Sequence, residues 1–234
     1  MSRDSLLLFP SQRTYTILCF PGISWGTARA TFQKALFWYD YSGQPVPVNS
    51  NQRTPMTAKP LQGKRVLSFV GDIYEDLELW YPKLRLIEAG AEFVIAGEEA
   101  KRVYAGKNGY PCASDIAIAD AKSSDFDAVL LPGGFMPDRL RRLDRVKQLI
   151  SEFAGDGKCV AAICHGGWLA ISAGVYRGVR TTGSPGIKDD LVNAGAIWED
   201  APVVVDRHFV SSRKPDDLPW FAAAMIDVMV KKDA

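Results

Sequence analysis

Residues 65–97 read RVLSFVGDIYEDLELWYPKLRLIEAGAEFVIAG, two apolar runs on either side of a stretch of helical length. RVLSFV (65–70) and EFVIAG (92–97) have the length and near-continuous apolar character of strands buried on both faces. Between them, 74–89 carries Ile73, Leu77, Trp80, Tyr81, Leu84 and Ile87 at helical spacing, the expected inner face of a helix. Strand, helix and strand make a βαβ unit, which demands parallel pairing and a right-handed crossover.

The alternation continues along the chain. DIAIAD (115–120) alternates as a strand of a small antiparallel excursion, and DAVLLPGG (127–134) reads as a buried strand ending in glycines. A helix from about 138 to 154, the strand CVAAIC (159–164) and a helix over 165–174 come next. A short helix near 187–194, the strands PVVVD (202–206) and HFVSS (208–212), and a helix over 217–231 complete the pattern. The fold implied is α/β, with a mostly parallel sheet covered on both faces. Sites in such sheets lie beyond the carboxyl ends of the strands. Three of those ends carry chemistry: Gly71-Asp72 leading to Glu75 and Glu78, Pro132-Gly133-Gly134, and Cys164-His165.

Residues 40–63 have linker composition, dividing the chain into an extension and linker (1–63) and a domain (64–234). The aromatic run KALFWYDY (34–41) precedes the linker. Either it forms a short helix that buries Phe37, Trp38 and Tyr39, or the functional chain begins at Met56 and the run is dispensable. Of 234 residues 47% are apolar, enough for a core, and 28 basic against 27 acidic side chains leave no field to attract nucleic acid or an anionic membrane. No apolar run approaches the ~20 residues of a membrane span, and no well-formed signal peptide opens the chain. The four cysteines (19, 112, 159 and 164) form neither CxxC pairs nor a disulfide framework, so a reduced, cytoplasmic setting is expected.

Cys164 sits where a strand turns into a helix with glycine just beyond, the arrangement of a nucleophile elbow. A helix start there favours a thiolate over the usual thiol pKa of ~8.5. Cys159 and His208 lack such surroundings and read as structural. His165 follows the thiol directly; as a base it needs a carboxylate to orient it. Glu78 lies beside the expected inner face, and Pro82 removes the hydrogen bond that its carbonyl would accept, a local cost of about 3 kcal/mol. Glu75 and Asp76 have an ordinary explanation as first-turn acids facing the helix dipole. The glycines of LPGG bring backbone N–H groups close to a ligand, and with the N–H of His165 they offer a two-donor oxyanion site.

Residues 64–231 resemble the ThiJ/PfpI superfamily, and in particular its PfpI branch. The resemblance is carried by EDLELWYP (75–82), AGKNGY (105–110), FDAVLLPGG (126–134), AAICHGGWLAISAGV (161–175), GIKDDLVNAGA (186–196) and VVVD with FVSSRKPDDL (203–206, 209–218). It implies a flavodoxin-like three-layer α/β/α sandwich of class I glutamine amidotransferase type. It also implies Cys164 as nucleophile, His165 beside it, Glu78 as the carboxylate that bonds the thiol, and the N–H groups of Gly134 and His165 as oxyanion donors. Gly133, Glu75 and Ser184 complete the implied substrate-binding set. In PfpI-like proteins a glutamate from a neighbouring subunit orients the histidine; Asp138, one methylene shorter, stands there here, so a homo-oligomer, dimer or hexamer, is implied. Two further departures are Gly167, where the family has proline, and Ser184, where it often has tyrosine.

Three activities follow from that resemblance: a cofactor-free glyoxalase or deglycase acting on 2-oxoaldehydes or their protein and peptide adducts, a cysteine peptidase, and a non-enzymatic redox sensor or chaperone. Aldehyde chemistry is the first expectation. It asks Cys164 to add to the carbonyl and Glu78 to move a proton; peptide hydrolysis asks more, because His165 must protonate an amine leaving group and must itself be held by a carboxylate. No metal is expected from two separated histidines, and no GxGxxG follows the first strand, so no cofactor is expected.

Overall fold

The computed structural model describes residues 59–231 and, apart from them, two short strands at 37–39 and 45–47. These are β1 (Phe37–Tyr39) and β2 (Pro45–Pro47), paired antiparallel with Trp38 opposite Val46. Phe37–Tyr39 are therefore extended where a short helix was one expectation, in keeping with the strand preference of bulky aromatic residues. The remainder of that run, and residue 56, lie outside the described residues.

In the main unit the order is β3 (Arg65–Phe69), α1 (Asp76–Glu88), β4 (Glu92–Gly97), β5 (Val103–Ala105), β6 (Pro111–Ala113), β7 (Ile116–Ala117) and β8 (Ala128–Leu131). Then come α2 (Met136–Leu140), α3 (Asp144–Gly155), β9 (Cys159–Ile163), α4 (Gly167–Ser172), β10 (Arg180–Thr181) and α5 (Lys188–Asn193). Last are β11 (Ile197–Trp198), β12 (Val203–Asp206), β13 (Phe209–Ser212) and α6 (Leu218–Lys231). Seven strands form one sheet in the order β12-β13-β9-β8-β3-β4-β7, parallel except for β12. Helices α1 and α6 pack together on one face; α3 and α4, flanked by α2 and α5, cover the other. The strands β3, β8 and β9 are buried almost throughout, so apolar side chains fill both interlayers.

Chain order places β4 on one side of β3 and β8 on the other. The direction of winding reverses there, which opens a crevice at the carboxyl ends of β3 and β8. The end of β9, where Cys164 sits, is next to it.

Three local expectations change. The small antiparallel ribbon is β5 with β6, while residues 116–117 join the main sheet parallel to β4. The helix expected over 138–154 is two helices, because Leu143 adopts an extended conformation (φ −82°, ψ 121°) between them. Most consequential is α1, where Trp80 alone of the expected inner-face residues packs against the core and a different face is buried. Leu79, Pro82 and Leu86 are buried together with Asp76 and Glu78, while Leu77 and Leu84 are 56% and 60% exposed, and Ile73, Tyr81 and Ile87 are exposed as well. The helix is apolar on nearly every side, so periodicity cannot choose a face, and the buried bonds of the two carboxylates decide it. Helix α1 runs on through Pro82, whose ring is buried.

Leu79→Ala should therefore cost about 2–5 kcal/mol, as a cavity in a core does, while Leu84→Ala should stay within about 0.5 kcal/mol. Urea unfolding of the two variants checks this, and equal losses would return the expected face to the core.

Candidate active site

Two residues at the crevice have left-handed backbone conformations that only glycine adopts easily. Cys164 has φ +58° at the end of β9, and Ile73, which is β-branched, has φ +62° after β3. Such geometry costs roughly 1–3 kcal/mol and persists only where neighbours enforce it. At Ile73 the enforcement is visible: its N–H donates to Ala105 O (2.8 Å), and its carbonyl accepts from Phe135 N (2.9 Å). At Cys164 the turn Cys164–Gly166 lifts the side chain out of the sheet before α4 begins at Gly167. This is the elbow expected from sequence.

Glu78 is fully buried. Its Oε2 accepts the Gly133 N–H at 2.8 Å, and its Oε1 has no hydrogen-bond partner among the described residues. Gly133 is thereby engaged by Glu78 and does not offer its N–H to a substrate, contrary to its expected place among the substrate-binding groups. A methyl group at residue 133 would lie 2.6 Å from Glu78 Oε2, 2.9 Å from Cys164 Cβ and 2.9 Å from His165 N, so only glycine leaves the site open. Gly134 has φ +81°, and its N–H, with that of His165, lies near enough the Cys164 sulfur to favour charge there. The two-donor arrangement is present.

Burial pushes the Glu78 carboxyl up to about 8, with the negative charge of Glu75 adding to it, against the Gly133 hydrogen bond. Burial, then the facing Glu78 carboxylate, pushes the Cys164 thiol up to about 12; the N–H groups of His165 and Gly134 pull the other way. The lowered thiol expected from a helix start is thus reversed. The reason is physical: α4 has only six residues and a tight turn before it, so its dipole is small beside the cost of burying charge. While Glu78 keeps its proton, that carboxylate repulsion on the sulfur is absent.

His165 is half-buried, with Nδ1 3.2 Å from the Cys164 sulfur. Burial, and then the charge of Lys107, hold the imidazole below its usual value. Among the described residues no carboxylate hydrogen-bonds to it. Asp138, on α2, is half-exposed, ion-paired with Arg142 of its own chain and not among the residues lining the cavity. Ser184 also stands off the cavity wall; its hydroxyl accepts from Gly186 N and caps the turn beside His165.

A cavity of about 180 Å³ opens at the sulfur, lined by Glu75, Lys107, Gly134, Phe135, Cys164 and His165. Lys107 was given no role from sequence. It pairs with Glu75 at 3.2 Å, and the loop bearing it is held by Asp76, whose carboxylate accepts from Asn108 N (2.8 Å), Asn108 Nδ2 (3.1 Å) and Tyr110 N (3.0 Å). Burial alone would raise Asp76, but those N–H groups outweigh it and hold the carboxyl below its ordinary range. Asp76 stands in the first turn of α1, as expected, and in addition positions a loop, for which the run AGKNGY is the sequence signal. A larger cavity, about 320 Å³, lies at the amino ends of β3, β8 and β9, near Lys64, Asp127 and Cys159, away from this chemistry. Cys159 and Cys112 are buried.

A profile of the DJ-1/PfpI family matches residues 64–228, the whole sheet and the site. The chain belongs to the DJ-1/PfpI family. Over 154 residues it is 47% identical to a deglycase of Pyrococcus abyssi and 44% identical to the deglycase PfpI of Pyrococcus furiosus, in each case covering 66% of this chain and 92% of the relative. The crystal structure of Drosophila melanogaster DJ-1beta superimposes with a TM-score of 0.67 at 26% identity, covering 73% of this chain and 92% of that one. The flavodoxin-like layering is that of the family.

The Glu78 carboxyl makes a prediction about stability. Folded, it keeps its proton to about pH 8; unfolded, it releases it near 4.5. Between those values the native state binds more protons than the unfolded one, so stability falls as pH rises through the window. Glu78→Gln removes that contribution. Between pH 5 and 8, denaturant unfolding should show the wild type losing more than about 1 kcal/mol relative to the variant; parallel curves would mean an ionised Glu78 throughout.

Proposed function

We propose that the chain is a cofactor-independent, cysteine-dependent hydrolase of glyoxalase or deglycase type, acting in the cytoplasm on 2-oxoaldehydes or on their protein and peptide adducts. The observation that carries this reading is the buried Glu78 carboxyl, its Oε1 unpartnered beside the sulfur and its pKa near 8. An acid–base group works best when its pKa lies near the working pH, because both protonation states are then within reach.

In this reading the ionised form of Glu78, within reach because the carboxyl titrates at about 8, takes the thiol proton as the Cys164 sulfur bonds to the aldehyde carbon and passes it to the carbonyl oxygen, giving a hemithioacetal. The N–H groups of Gly134 and His165 stabilise the charge that develops on that oxygen. Glu78 then moves a proton from the former aldehyde carbon to its neighbour while the hydroxyl proton passes to the neighbouring oxygen, leaving the thioester of a 2-hydroxy acid. Water cleaves the thioester, releases the acid and restores the thiol. For a hemiaminal adduct on a protein amine the sulfur substitutes at the same carbon: the C–S bond forms, the C–N bond breaks, and the thiol proton leaves on the amine, giving the same hemithioacetal. A cavity of about 180 Å³ suits such small carbonyl groups, being below the roughly 300–1,000 Å³ of sites for drug-sized ligands.

Peptidase activity is the second reading. It requires His165 to protonate an amine leaving group, and the carboxylate to orient it would have to be Asp138 of another subunit. A redox-sensor role calls for a thiolate of low pKa, which burial of Cys164 opposes.

Methylglyoxal turnover with formation of lactate tests the first reading. Wild type should be active, Cys164→Ala inactive, and Glu78→Gln slower by at least ~10²-fold, the lower end for a lost acid–base group. Activity of Glu78→Gln within a few-fold of wild type would reject Glu78 as proton carrier. Self-association is the partner reading, with the exposed apolar stripe of α1 as surface to be covered. Light scattering should show a mass above the monomer's at micromolar concentration, and a monomer throughout would remove the role of Asp138 in a neighbouring site.

A further inference from the structure

His165, whose one hydrogen-bond contact among the described residues is from Nδ1 to a sulfur atom, lacks a hydrogen bond at Nε2 that would fix its orientation. Yet His165 has a neighbour of a different kind. Trp168, three residues on and so on the same side of the helical turn, stands edge to face against it, with ring centroids 5.0 Å apart and planes at 70°. Trp168 is itself fastened twice. Its indole N–H donates to Asp190 Oδ2 of α5 at 2.8 Å, and the guanidinium carbon of Arg141 lies 5.4 Å over its ring. Arg141 is anchored in turn by its Nε–H to Ser172 Oγ of α4 at 2.8 Å.

Arg141, Trp168, Asp190 and His165 thus form one connected wall that spans the loop after α2, the helix α4 and the helix α5. Only one member, His165, touches the reacting sulfur. Edge-to-face aromatic pairs are favourable beyond their burial, enough to favour one ring orientation several-fold. We propose that Trp168 is the positioning residue of His165, an aromatic wall tied down by Asp190 and Arg141 that keeps Nδ1 on the Cys164 sulfur. It does within one chain what an orienting carboxylate does for the histidine of a cysteine hydrolase. The inference rests on the aldehyde chemistry proposed above for its kinetic readout alone.

The test is a set of cycles in the full chain: Trp168→Leu and Trp168→Phe, each made with His165 present and in the His165→Ala background. Two quantities are read, kcat and KM for methylglyoxal, and the rate of Cys164 alkylation by iodoacetamide, which needs no substrate. Trp168→Leu should lower kcat five- to tenfold with KM within twofold, and Trp168→Phe, which keeps a ring, should retain at least half of kcat. In the His165→Ala background Trp168→Leu should change neither quantity further. With His165 present it should move the alkylation rate toward the His165→Ala value, and phenylalanine should not. Equal effects of leucine in both backgrounds, equal effects of leucine and phenylalanine, or no effect of leucine would each overturn the proposal. If wild type does not turn over methylglyoxal, the functional reading fails while the alkylation series still decides the role of Trp168. Should Trp168→Leu melt early, Asp190→Ala at the exposed surface of α5 is read in the same cycle. A two- to threefold loss that vanishes without His165 supports the wall, and no loss overturns it.

Discussion

The hydrogen bond from the Gly133 N–H to Glu78 links the loop after β8 to helix α1 through the protein interior. Much of the rest follows from it. A carboxyl drawn inward sets the rotation of α1, so that Leu79 and Leu86 meet the sheet and Leu77 and Leu84 meet solvent. The same bond fixes Glu78 beside the cysteine turn, and the close approach leaves no room for a side chain at residue 133. The strained conformations of Ile73 and Cys164 are the backbone cost of bringing three strand ends so near one another.

Protonation at the site is then a property of the pair. Neither group carries charge comfortably, because each is buried and an ionised Glu78 opposes an ionised Cys164. The N–H groups of Gly134 and His165 favour the charged sulfur and so offset part of this. A resting thiol that is activated by proton transfer within the site differs from a thiolate held ready by a helix dipole, and it reacts less with oxidants outside its own chemistry.

Strand and helix alternation, the crevice and the cysteine elbow were legible in the sequence because each rests on local pattern: apolar runs of strand length, and a strand-to-helix junction with glycine. The inner face of α1 was not legible. Its apolar residues leave no polar side to exclude, and the choice was made by bonds to residues 55 and about 30 positions away, Gly133 for Glu78 and Asn108 and Tyr110 for Asp76. Lys107 was hidden for the same reason, since a loop lysine looks solvated until Asp76 folds that loop over the sulfur. Trp168 had a signal in its three-residue spacing from His165, but the same spacing also describes an ordinary buried helix face.

The ion pair between Glu75 and Lys107 has one further consequence. It places opposite charges at the mouth, and with the imidazole of His165 held below its usual value and Glu78 keeping its proton the groups at the sulfur add little net charge there. A site of that kind neither concentrates nor repels ions from a distance. Uncharged carbonyl compounds would then reach the sulfur at a diffusive rate that added salt leaves nearly unchanged.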